Sequence, residues 1–191
     1  MITFLFPSII IVLSFIVFFG YKLKKGLIDL LIFFYCVIFS VYVAALVSLT
    51  LFPFPYQEKL IESMIEDNLG EVHNFTPFQA FVETFSGTFY LADVIHLVGN
   101  IVLFIPLGFI VSIFFSEMKK KNVILIGLLV SLAIETIQAL AGLYLGYNYR
   151  SFDVDDLILN VIGTIVGVLI FKLLSGFLKE ADLLINKRQV A

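Results

Sequence analysis

Three short polar sets stand out in an otherwise apolar chain. Asp93, His96 and Asn100 are spaced i, i+3, i+7, and Ser131, Glu135, Gln138 and Gly142 are spaced i, i+4, i+7, i+11. Each spacing puts its residues on one face of a helix. A third stripe, Arg150, Asp153, Asp156, Asn160, Gly163 and Gly167, shares one face if its helix begins early. Carboxylates beside an imidazole are the groups for acid–base work or for holding a divalent cation. The guanidinium of Arg150 suits a phosphate or carboxylate, which it grips through two hydrogen bonds. Amides at Asn100, Gln138 and Asn160 suit sugar or peptide groups. No serine or cysteine lies beside a histidine in a way that argues for nucleophilic catalysis.

Structural roles compete for the same residues. Asn100, Gln138 and Asn160 can act as hydrogen-bonding glue between helices, and Gly163-x3-Gly167 permits close helix approach. Arg150 can clamp a loop by pairing with Asp153 or Asp156. Asp155 falls off the stripe and reads as solvent-facing; His73 reads as a surface residue. Glu135 is the hardest to dismiss, because a carboxyl deep in an apolar helix must be protonated, paired or hydrated.

The elements that carry these residues are set by composition. Of 191 residues, 61% are apolar and 14% charged, against roughly 45–50% and about 25% in soluble domains. With a mean hydropathy of +1.08, a soluble globular enzyme is excluded. The net charge of −3 leaves no basic footprint for nucleic acid. Cys36 is the single cysteine and has no intrachain partner. A bilayer core of about 30 Å needs roughly 20 apolar residues in a helix. Segments 2–20, 30–52, 94–116, 122–144 and 156–177 meet that requirement, so the fold class is an all-α integral membrane bundle of about five transmembrane helices. The chain, 1–191, reads as one membrane domain. The first span lacks a positive n-region and a small-residue cleavage site, and reads as a retained helix rather than a signal peptide.

Basic residues favour cytoplasmic loops. Lys22, Lys24, Lys25, Lys119, Lys120, Lys121, Lys172, Lys179, Lys187 and Arg188 fall on one side, and only Lys59 and Arg150 on the other. The N-terminus is therefore expected outside and the C-terminus inside. The one long connection, 53–93, is acidic and lies outside. Within it, Leu60, Ile61, Met64 and Ile65 recur at helical spacing opposite acids, predicting a short amphipathic helix over 56–67. That helix either lies in the headgroup zone or packs on the loop and its flanking spans. Asn74-Phe75-Thr76 fits a glycosylation sequon, a pattern too short and common to carry weight. The first two spans bring no ionisable residue and are expected to be lipid-facing support. The other three place their polar faces at similar depth, predicting a polar pocket that opens to the extracytoplasmic side.

The combined pattern resembles the VanZ-like membrane protein family. It comprises Glu135-x2-Gln138 and Arg150-x2-Asp153-x2-Asp156-x3-Asn160-x2-Gly163-x3-Gly167. Two further blocks are similar to that family's: Asn74-Phe75-Thr76-Pro77-Phe78, and Gly99-Asn100 followed by Ile101-Val102-Leu103-Phe104-Ile105-Pro106-Leu107-Gly108. The resemblance covers 74–171, and one departure is Tyr149, where the family often has glycine. It implies a multi-pass protein of the bacterial cytoplasmic membrane that lowers sensitivity to teicoplanin-type, lipid-anchored glycopeptide antibiotics.

Two functions remain open at this level. In the first, a pocket of Asp93, His96, Asn100, Glu135, Gln138, Arg150, Asp153, Asp156 and Asn160 binds a membrane lipid, a lipid-linked cell-wall precursor or a lipoglycopeptide. In the second, Glu135, Asp153, Asp156 and His96 are catalytic. They then serve a hydrolase or transferase on a lipid-linked substrate, with a divalent metal ion or by acid–base work alone. No short motif has dedicated metal-ligand spacing. A proton-coupled carrier using Glu135 is disfavoured, because the inner halves of the spans lack a polar pathway.

Overall fold

The computed structural model describes residues 1–86 and 90–185. Its elements are helices: α1 (Leu5–Lys24), α2 (Leu30–Leu51), α3 (Glu58–Glu66), α4 (Gln79–Ser86), α5 (Leu91–Phe114), α6 (Lys120–Leu145) and α7 (Val154–Glu180). α1, α2, α5, α6 and α7 are 20, 22, 24, 26 and 27 residues long and apolar enough to cross a membrane. At 1.5 Å per residue they span about 30–40 Å, matching a hydrocarbon core. Lys187 and Arg188, counted in the charge asymmetry, lie outside the described residues.

Local chemistry sets the helix ends. Asp29 caps α2 by accepting from the Ile32 N–H at 2.8 Å, satisfying an amide that has no partner in the first turn. α2 stops before Pro53, since the residue before proline is pushed out of the helical region. Gly146 closes α6 at φ +66, a left-handed conformation that glycine adopts without penalty. Lys22 and Lys24 lie in the last turn of α1, where cations complement the helix dipole.

α5 and α7 form the centre of the bundle. A β-carbon added to Gly163 would lie 2.1 Å from the Ile101 carbonyl oxygen, and one on Gly167 would lie 2.1 Å from that of Ile105. Gly108 makes the reciprocal approach, 2.1 Å from the Thr164 carbonyl. These backbones therefore touch, as small residues allow inside a bilayer. α6 closes on α7 where Gly127 meets the Thr164 side chain. Phe104, Leu107, Val123, Ile134 and Val168 fill the buried interior, together with Tyr42 and Leu46 from α2.

α2 is thus more than lipid-facing support. Its Tyr42 hydroxyl donates to the Leu103 carbonyl at 3.1 Å, and it buries Ser40, Ala44 and Leu46. α1 fits the peripheral expectation: it packs on α2 and buries no residue. α3 falls within the predicted amphipathic segment, whereas the eight-residue α4 was not predicted.

The acidic connection after α2 and the 146–153 turn lie at one end of the bundle. An isolated bridge between Asn74 and Asp153 joins them. The Lys22–Lys25 and Lys119–Lys121 clusters lie at the opposite end, as the alternating helix directions require.

Candidate functional site

A cavity of about 210 Å³ lies at the acidic end of the bundle. α5 contributes His96, Gly99, Asn100 and Leu103, and α6 contributes Ile134, Glu135 and Gln138. α7 adds Asp156 and Asn160, the preceding turn adds Arg150, and α2 adds Leu49 and Thr50. Seven of the nine residues expected to bind ligand therefore line one space. The other two do not line it. Asp93 faces a second cavity of about 190 Å³ with Glu83, Thr84 and His96. Asp153 instead caps α7, accepting from the Asp155 N–H at 2.7 Å and the Asn74 side chain at 2.8 Å.

α7 begins at Val154, so Arg150 and Asp153 are not on a continuous helical stripe. Arg150 reaches the cavity from the 146–153 turn. It does not clamp the loop: among the described residues its side chain, though half-buried, makes no hydrogen bond or ion pair.

The remaining polar groups interlock. Asn100 donates to Asp156 at 2.5 Å, and His96 Nε2 lies 3.7 Å from the other Asp156 oxygen. Glu135, only 2% exposed, accepts from the Asp153 N–H at 2.8 Å. This bond links the deep carboxyl to the turn bearing Arg150. Gln138 donates to the Thr50 carbonyl at 2.9 Å, and Asn160 donates to Ser131 at 2.9 Å. The amides therefore do join helices, yet Gln138 Oε1 and Asn160 Oδ1 are buried with no partner. Buried polar atoms are normally paired, and these two acceptors belong to side chains that line the cavity.

The turn is held by a network that the sequence did not reveal. Glu71 N–H donates to the Asn148 carbonyl at 2.8 Å, Asn74 N–H to Phe152 at 2.9 Å, and Val154 N–H to Asn74 at 3.0 Å. Ser151 N–H donates to the Glu71 carboxylate at 2.9 Å. His73 is half-buried rather than a surface residue, and its Nδ1 accepts from the Phe152 N–H at 2.9 Å. Its Nε2 lies 3.4 Å from the Asn148 side-chain nitrogen. Tyr149 donates to the Leu51 carbonyl at 3.3 Å and packs edge-on against Phe54. Burial pushes its hydroxyl above the ordinary range, against the opposing pull of Arg150, which keeps it a donor.

Asp155 corrects the expectation of a solvent-facing residue. It is fully buried and accepts from the Phe78 N–H at 2.5 Å, the Ala80 N–H at 2.8 Å and the Asn74 side chain at 3.3 Å. Phe78 stands at φ +66, and its amide and that of Ala80 converge on this one carboxylate. Asp155 thereby anchors the start of α4. It also occupies the Asn74 amide, the nitrogen a glycan would need.

Among the described residues, no three His, Cys, Asp or Glu side chains come together as metal ligands. The donors here are already engaged, Asp156 with Asn100 and Glu135 with a backbone amide. The residues do not fit a divalent-cation site. They do offer the guanidinium of Arg150, unpaired among the described residues, and the imidazole of His96.

No curated protein and no solved structure matches this chain. Residues 39–175 match the sequence profile of the VanZ/LLP1 family. The match runs from the middle of α2 through most of α7 and includes every residue lining the cavity. A bundle of five long apolar helices with a polar cavity at one end is thus the setting of the family signature, and the chain belongs to the VanZ/LLP1 family.

Proposed function

We propose that this is a protein of the bacterial cytoplasmic membrane whose cavity opens toward the extracytoplasmic side. There it binds the polar head of an envelope lipid or of a lipidated glycopeptide antibiotic, and so lowers sensitivity to that antibiotic. Arg150 carries this reading. A half-buried guanidinium without an ion-pair partner among the described residues is a ready partner for a phosphate or carboxylate, with bidentate geometry. The apolar outer faces of the helices offer a continuous path for the tail.

Native mass spectrometry of protein released from bilayers tests the reading. Wild type retains lipid, and Arg150→Ala loses it by roughly ten- to a hundred-fold, the worth of a charge-assisted hydrogen bond. Cells carrying Arg150→Ala correspondingly lose any protection against teicoplanin that the wild type confers. Undiminished lipid in the variant would sink the proposal.

Acid–base turnover is the second reading, favoured by Glu135 and Asp156 lining the same cavity with His96 at 3.7 Å from Asp156. It requires the purified protein to release product from a bound lipid, and Glu135→Gln to stop release while lipid stays bound. Lipid retained intact by the wild type decides for binding.

A further inference from the structure

We propose that α4 is an interfacial helix whose outer face, Val82 and Phe85 with Phe78 just before them, is seated in the bilayer leaflet at the cavity end. The helix is turned opposite to a surface helix in water. Val82 and Phe85 share one face at i, i+3 and are 61% and 68% exposed. Ala80 and Thr84, at i, i+4 on the other side, turn inward, and Thr84 is 3% exposed. With Glu83 they line the cavity of about 190 Å³ that α4 shares with Asp93, His96 and Leu97 of α5. A helix facing water turns its apolar stripe toward the core, so this arrangement requires an apolar medium outside α4. Phe75 and Phe78, both exposed, precede the helix, and Glu83 is the only charged residue between Asn74 and Ala92. An exposed apolar patch marks an interaction site, and the lack of charge on this one suits acyl chains.

The depth of α4 follows from what holds it. Asp155, in the first turn of α7, accepts from the Phe78 and Ala80 amides at 2.5 and 2.8 Å. On the α5 side, the shared cavity is lined by Asp93 and Leu97, within the first two turns of that helix. α4 therefore lies level with the start of two spans that are 24 and 27 residues long, or about 36 and 40 Å. Each outreaches a hydrocarbon core of about 30 Å, so their first turns stand at its border with the headgroups. Amphipathic helices with Phe on the apolar face settle at that border, buried by about 5–10 Å. The lipid-facing stripe of α5 starts at the same level: Leu91, Ile95, Val98 and Val102, at i, i+4, i+7 and i+11, are all exposed. The chain passes from Phe85 into that stripe through the exposed Tyr90, so the bilayer that covers α5 is the occupant that also reaches α4. Asp155 holds α4, and the adjacent Asp156 holds Asn100 and faces His96. One step of chain thus joins the seated helix to the first cavity.

The chain contains no tryptophan, so Val82→Trp and Phe85→Trp each place a single fluorescent reporter on this face. The whole chain is reconstituted in phosphatidylcholine bilayers, with bromine on the upper part of the acyl chains in one set. Leu132→Trp, on the exposed side of α6, gives the reference for a lipid-facing position. Brominated lipid is expected to remove most of the emission of both α4 reporters, as it does at the reference, while iodide in the water removes little. Quenching by iodide in place of brominated lipid puts the face in water and overturns the proposal. Protection from both quenchers means that a second copy or another protein covers the face, and overturns it equally. The wild type supplies a measurement free of substitution. Phosphatidylcholine with a diazirine near the ester end of its tails is expected to attach to Phe78, Val82 and Phe85 on irradiation, and labelling confined to the spanning helices overturns the seat of α4. Lipid retention by Arg150→Ala is a separate result, since phosphatidylcholine reaches α4 whatever the first cavity holds.

Discussion

Asp155 and Asp93 are both acids near the start of a helix, and they have opposite weights. Asp155 satisfies the Phe78 and Ala80 amides from a fully buried position. Asp93 is half-buried beside the second cavity and makes no side-chain hydrogen bond among the described residues. Removing an acceptor from buried donors costs about 1–3 kcal/mol for each group left unpaired. Asp155→Ala is therefore expected to lower the melting temperature in detergent by several degrees more than Asp93→Ala does. Equal shifts would show that the anchor contributes nothing. The periodicity that located Glu135, Gln138, Asp156 and Asn160 could not find Asp155. Helical spacing reports which residues share a face, and Asp155 instead points back at a loop far away in sequence. Thr50 was illegible for a different reason: it serves through its carbonyl, which every residue type has.

At the scale of elements, the five spans were readable because a bilayer requires about 20 apolar residues and internally satisfied backbone. The pairing of 71–74 with 148–154 was not, since neither segment has an apolar period and their amides bond one another without a sheet. The blocks around Asn74 and Arg150 both carried the family resemblance, and the structure places them side by side. Two glycines on α7 separate packing from intrinsic helix preference. A β-carbon on Gly163 would strike the Ile101 carbonyl at 2.1 Å, whereas one on Gly176 meets nothing within 4 Å. Gly176→Ala should be neutral or stabilising by up to about 1 kcal/mol. Gly163→Ala should be destabilising, because α5 and α7 must part, and that also widens the cavity between Asn100 and Asp156. Thermal melts of the two variants in one detergent check this, and an unharmed Gly163→Ala would contradict the backbone contact.

For the whole molecule, charge and pocket are arranged along one axis. Lys22, Lys24, Lys25, Lys119, Lys120 and Lys121 lie at the end opposite the cavity, where α1 ends and α6 begins. If lysines mark the cytoplasmic side, the cavity and the acidic connection face outward, and a ligand arriving from the envelope meets Arg150 first. Two exposed positions test this with an impermeant maleimide on intact cells. Val72, 85% exposed, lies in the acidic connection, and the exposed Ser116 lies between α5 and α6 at the lysine end. In a Cys36→Ala background, Val72→Cys is expected to react in intact cells and Ser116→Cys only after permeabilisation. The opposite pattern would put the cavity on the cytoplasmic side. An extracellular antibiotic could then not reach it, while a headgroup from the inner leaflet still could. The labelling result thus separates protection at the cell surface from lipid binding as such, and it does so without relying on any contact inside the cavity.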